Sequence, residues 1–173
     1  TKPRDPSITD ERNFAFARVR RLTAEQMLDA INTVTQSSTK FPNLPIGARA
    51  VEVANGQSGV YFLDVFGRPT RESVCTCERR NEPTLAQSLH LINGDTIDTA
   101  IKSPGGALDE LLKAEKPTAE IVQHLYLAAL SRPPSETEQQ HLVQFVEQAA
   151  DRRAALEDTF WSVLNSKEFI FNH

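Results

Sequence analysis

The 173-residue sequence is sparing with the side chains that chemistry most often uses: two cysteines, one methionine, one tryptophan and two tyrosines. Two cysteines cannot form a disulfide framework, and a chain this long can bury a core without one. No run approaches the 18 consecutive apolar residues of a membrane span. The opening TKPRDPSITDER lacks the charged-then-apolar layout of a signal peptide, and the only methionine is Met27, so the chain is expected to be a fragment of a longer protein. There is no P-loop, dinucleotide fingerprint, G-x-S-x-G elbow or C-x-x-C-H haem attachment, and Ser73 has no nucleophile elbow around it. His90, His124, His141 and His173 include no pair at the i, i+4 spacing of a helical metal site, and His124 reads as a rim residue rather than a ligand. A net charge of −4 with dispersed lysines and arginines disfavours nucleic acid as a partner. No internal repeat or low-complexity tract is visible.

Helix signals are plentiful. Thr23 and Gln26 have capping-box spacing ahead of Met27, Ala30, Ile31 and Val34, which predicts a helix from about Ala24 to Thr35. From about 36 to 83, Pro42, Pro45, Gly47, Gly56, Gly59, Gly67 and Pro69 interrupt any helix, and only AVEVA and VYFLDVF read as short extended pieces. This stretch is expected to be a long ordered loop held to the helices by its aromatic cluster, Tyr61, Phe62 and Phe66 among them. Helices resume with a second capping box at Thr84 and Gln87 and an apolar face of Leu85, Leu89 and Ile92, and Asp95 reads as the next N-cap. Short helices are expected around Ile97 to Ile101 and Ala107 to Lys113, with the intervening Gly105 and Gly106 read as a turn. Ile121, Val122, Leu125 and Tyr126 define one helix, and Ser135 with Glu138 caps another carrying Leu142, Phe145, Val146 and Ala149. Leu156, Phe160, Val163 and Leu164 line a last long helix ending at Asn165, with a final turn capped by Ser166. The prediction is one all-α domain over 1–173, an irregular bundle of six or seven helices wrapped by the 36–83 loop. Leu125, Tyr126, Phe160 and Trp161 are expected to be structural, Trp161 as core rather than a stacking platform.

The chemistry-bearing stretch is RESVCTCERR, residues 71–80. Cys75 and Cys77 admit four readings: a metal pair completed by ligands such as His90 or Glu72, a strained and labile disulfide, buried or unpaired thiols, or a nucleophilic thiol. Arg68, Arg71, Arg79 and Arg80 have the chemistry to cradle an anion bidentately. Asp64, Glu72, Glu78 and Glu82 are close enough in sequence to occupy them in ion pairs instead.

The segments RRLTAEQMLDAI, FGRPTRESVCTCERRNEPTLAQSLHLINGDTI, LYLAALSRPPSETE and FWSVLNSKEFIFNH resemble the C-terminal part of the planctomycete-specific domain of unknown function 1553. The resemblance implies an exported setting (periplasmic, cell-surface or extracellular), often beside a cytochrome c-like domain, in bacteria that degrade polysaccharides. It carries no catalytic residues over. It implies no cofactor in this fragment, haem being confined to a separate upstream domain, and it implies the upstream domains as partners, with polysaccharide second. In an exported setting a Cys75–Cys77 disulfide stands level with buried thiols. The expected role is an accessory module without activity of its own. The alternatives are part of a redox or metal-dependent enzyme using Cys75 and Cys77, or acidic-glycan binding at the arginines.

Overall fold

A computed structural model describes residues 19–54, 59–68, 84–93 and 95–172. The capping boxes are formed as the spacing predicts. Helix α1 (Ala24–Thr35) starts where the Thr23 hydroxyl accepts from Gln26 N while the Gln26 side chain accepts from Thr23 N. Two orphan amides are thereby satisfied together. Gln36, in the left-handed region at φ 52°, closes α1 by donating to the Asn32 and Thr33 carbonyls.

Two short elements follow in the region read as a loop, a 3-10 turn at Ala50–Glu52 and helix α2 (Tyr61–Val65). The remaining helices are α3 (Leu85–Asn93), α4 (Asp95–Ile101), α5 (Ala107–Lys113), α6 (Thr118–Leu130), α7 (Glu136–Gln148), α8 (Arg152–Leu164) and α9 (Lys167–Ile170). Ser135 and Glu138 make the reciprocal cap of α7, Asp151 accepts from two amides at the start of α8, and Ser166 accepts from Phe169 N. The all-α reading therefore holds. Helix α1 lies at the centre, against α2, α4, α5, α6 and the 3-10 turn, and α6, α7 and α8 pack on one another. Met27, Leu28, Ile31, Phe62, Leu63, Leu125, Leu156 and Phe160 are fully enclosed in the core between them, and Trp161 packs on it from the side.

The sequence does not announce the antiparallel pair of β1 (Arg20–Arg21) and β2 (Phe171–Asn172), with Arg20 opposite Asn172 and Arg21 opposite Phe171. Leu22 N extends it to the Ile170 carbonyl at 2.9 Å. This ladder ties the strand preceding α1 to the end of α9.

Several expectations are corrected. AVE and YFLDV, read as extended, are helical. The 3-10 turn forms because the Asp29 carboxylate of α1 accepts from Ala50 N at 2.6 Å and Val51 N at 3.3 Å, a cap supplied by tertiary contact that local β-propensity cannot register. In α2, Phe62, Leu63 and Phe66 fall on one buried helical face, whereas Tyr61 is 67% exposed rather than packed. Helix α3 is turned relative to its expected face. Leu85 and Leu89 are 76% and 50% exposed, while Gln87 is 4% exposed. The reason is polar: the Gln87 side chain donates to the Val65 carbonyl at 3.1 Å and accepts from Thr84 N at 3.3 Å and from the Arg21 guanidinium. These three hydrogen bonds satisfy the amide inside the fold and fix the face that α3 turns inward. Phe145, expected inward on α7, is also half exposed, and α4 begins at Asp95 itself rather than one residue later.

Candidate functional site

Cys75, Cys77, Glu72, Arg71, Arg79 and Arg80 lie outside the described residues. Their flanks are placed by α1 and α3. At one flank, Arg68 is buried and donates through Nη2 to the Val53 carbonyl at 2.5 Å, with its Nε 3.7 Å from the buried Glu25 carboxylate. Arg68 therefore joins residues 53 and 68 to the first turn of α1. Its side chain is buried beside Glu25. Glu25 and Asp29 stand one turn apart on α1, the first holding Arg68 and the second capping the 3-10 turn with Arg49 Nε at 3.6 Å. Neither stood out by sequence. Their only signal is that acidic residues at i and i+4 intrude on the stripe of Ala24, Leu28 and Ile31.

At the other flank, His90 is half-buried in an aromatic nest. Its ring meets Tyr61, Phe62 and Phe66 edge-on, with centroids 5.5, 5.6 and 6.1 Å away. Its Nε2 is 3.0 Å from the Thr96 hydroxyl. Burial lowers the His90 pKa, against a smaller opposing pull from Asp95, so the neutral imidazole is favoured. Neutral imidazole is the ligating form, but among the described residues no three histidine, cysteine or carboxylate side chains gather around a common point.

A polar cleft opens beside this nest. Asn32, Ser37, Ser38 and Thr39 at the end of α1 form one wall, and Asp95, Thr96 and Thr99 of α4, with Ser103 just beyond it, form the other. Val60 and Ala100 supply apolar surface between them, and the cavity volume is about 340 Å³. A smaller cavity of about 180 Å³ shares Asn32, Ser37 and Ser38 and runs towards Asp29 and Arg49. Gly106 holds this region together. A Cβ there would lie 2.8 Å from the Thr35 carbonyl and 2.9 Å from the Ser103 carbonyl. The Gly105–Gly106 pair is thus more than a turn, since its second glycine allows α5 to start against the end of α1.

The third cluster explains two of the sequence segments. Arg132, from LYLAALSRPPSETE, donates to both oxygens of Glu138 at 3.0 Å and to both oxygens of Glu168 at 2.6 and 2.7 Å. Glu168 belongs to the closing SKEF segment, and the Arg132 guanidinium also lies 5.3 Å from the Tyr126 ring. Arg132 and the Ser135 amide hold the Glu138 carboxyl down to about 2. The two carboxylates raise the pKa of Arg132 in return, so it remains cationic throughout. The geometry is that of a clasp joining the α6–α7 turn to α9.

No curated protein and no solved structure matches this chain. A family profile does, over residues 3–146, which takes in α1 to α6 and most of α7 and ends before α8, α9 and the closing segment. On that match the chain belongs to the family described as "Protein of unknown function (DUF1553)".

Proposed function

We propose that the chain is a non-catalytic accessory module that docks against other domains of a longer exported polypeptide. One observation carries the reading. Tyr61, Leu85 and Leu89 present apolar side chains to solvent from α2 and α3, two neighbouring helices, while Gln87 of α3 turns inward. Large apolar side chains left exposed on adjoining helices are a mark of a covered surface. Its charged groups point the same way: Arg68, Glu25, Asp29, Arg132, Glu138 and Glu168 are engaged in holding elements together. The domains implied by the family resemblance are the partner this reading commits to.

Hydrogen exchange provides the test. Amides of residues 61–68 and 84–93 should exchange more slowly in the longer polypeptide than in this chain alone, and L85K/L89K should remove the difference. Equal exchange in the two wild-type proteins would overturn the proposal. One equivalent of bound metal after purification, lost on Cys75→Ser and Cys77→Ser substitution, would instead favour a metal-dependent role.

A further inference from the structure

The cleft between the end of α1 and α4 belongs to neither the docking face nor the clasp. We infer that it is a binding site for a neutral polyhydroxylated ligand, the chemical class of an unmodified sugar, and this goes beyond the docking reading.

The lining decides the class. Apart from the Asp95 carboxylate, the polar lining is hydroxyls and one amide, groups that both donate and accept and so match the hydroxyls of a polyol. Among the described residues no lysine or arginine lines the cleft, and the one charged group there is the Asp95 carboxylate, which disfavours a phosphate, sulfate or uronate and offers an acceptor to a pair of vicinal hydroxyls. Val60 and Ala100 provide the apolar strip that the C–H face of a sugar ring requires. The volume of about 340 Å³ lies at the lower end of small-ligand sites.

The walls are also held in place before any ligand arrives. Asn32 Nδ2 donates to the Thr39 hydroxyl at 3.0 Å, and Asn32 Oδ1 accepts from Ser37 Oγ at 3.1 Å and Thr39 Oγ1 at 3.3 Å. Thr35 donates to Ser37 Oγ at 2.9 Å, so three hydroxyls and an amide form one connected set. Across the cleft, Thr96 is positioned by His90, itself wedged among three rings. Groups already ordered forfeit little entropy on binding. Ser37 and Thr39 each donate once and accept once within this scaffold, which leaves each an acceptor lone pair for a ligand hydroxyl. The smaller cavity, sharing Asn32, Ser37 and Ser38, supplies a direction in which a longer chain would continue.

The test is a titration of the isotope-labelled protein with four neutral oligosaccharides (cellotetraose, xylotetraose, mannotetraose and laminaritetraose) at millimolar concentration, with sulfated dextran in parallel. At least one neutral sugar should shift the amides of residues 37–39 and 95–103. Thr99→Leu, which narrows the mouth from an exposed position, should weaken that binding by about tenfold or more, the loss expected when a contact is replaced by a clash. Asp98→Asn, on the same helix but outside the cleft, should leave it unchanged, and unaltered melting temperatures would establish that both variants fold. The inference is overturned if none of the four sugars shifts those amides, if Thr99→Leu binds like wild type, or if sulfated dextran shifts them in place of the neutral sugars. None of these outcomes bears on the α2–α3 docking face, so the two proposals fail separately.

Discussion

Arg132 shows how a single residue can account for a stretch of sequence. Four of its donor contacts reach Glu138 and Glu168, and Glu138 is at the same time the reciprocal member of the Ser135 cap. Because the Glu138 carboxyl is depressed to about 2 from an ordinary 4.5, its contribution to stability is complete above pH 4.5 and is lost as pH falls towards 2. These groups are about one-third exposed, so solvent screening limits the effect of Arg132→Met to about 1 kcal/mol. The difference in melting temperature between wild type and Arg132→Met should be present at neutral pH and shrink between pH 4.5 and 2. A difference that stays constant across that range would mean the clasp is not electrostatic. The buried pair is expected to matter more. Glu25→Ala removes a buried carboxylate from beside the buried Arg68 guanidinium, and breaking a buried pair costs about 3–5 kcal/mol in comparable cases. Chemical denaturation should show that loss, and a change below 1 kcal/mol would count against the anchoring role. His90 runs on the same linkage with a different group: its lowered pKa means the unfolded state binds the extra proton, so stability should decline as pH falls below about 6.5. An NMR titration of its ring, reading a pKa below 6.5, is the direct check.

At the scale of elements, α3 is the instructive case. Periodicity assigns Leu85 and Leu89 to the core, and the helix instead buries Gln87 because that side chain closes its own capping box and bridges to Val65 and Arg21. Leu85→Lys should therefore change stability by no more than about 0.5 kcal/mol, as surface substitutions do, whereas Gln87→Leu should cost several times that by stripping the Val65 carbonyl and Thr84 amide of their partner. Melting curves of the two variants decide it, and the reverse order would restore the periodic reading. Gly106 makes the equivalent point for α5. Gly106→Ala forces a backbone shift against the Thr35 and Ser103 carbonyls and should destabilise, although in an open turn the same change is stabilising.

For the whole molecule, closure depends on the last residues. Phe169 and Ile170 are buried, Glu168 completes the Arg132 clasp, and Phe171 and Asn172 pair with Arg20 and Arg21 across the ladder. Truncation after Asn165 removes all three devices together. Loss of two buried apolar side chains alone is worth about 4 kcal/mol, so the truncated chain should unfold at markedly lower denaturant. If it retains the full midpoint, α9 and β2 are appendages rather than parts of the bundle.

The sequence by itself determined the helices from α4 to α9 and the caps that start α1, α3 and α7, because propensity, capping and hydrophobic period are local and agree with one another there. It also determined the family, through segments long enough to be distinctive. It pointed to residues 71–80 as the place for chemistry, and those lie outside the described residues. Tertiary structure alone decided the rest. A carboxylate on α1 turns a stretch with strand propensity into a 3-10 turn, a glutamine held by three elements rotates α3 so that two leucines face solvent, and the hydroxyls of the cleft come from segments sixty residues apart. Each depends on a polar group finding its partner at long range, and a pattern of apolar spacing does not encode where that partner will be.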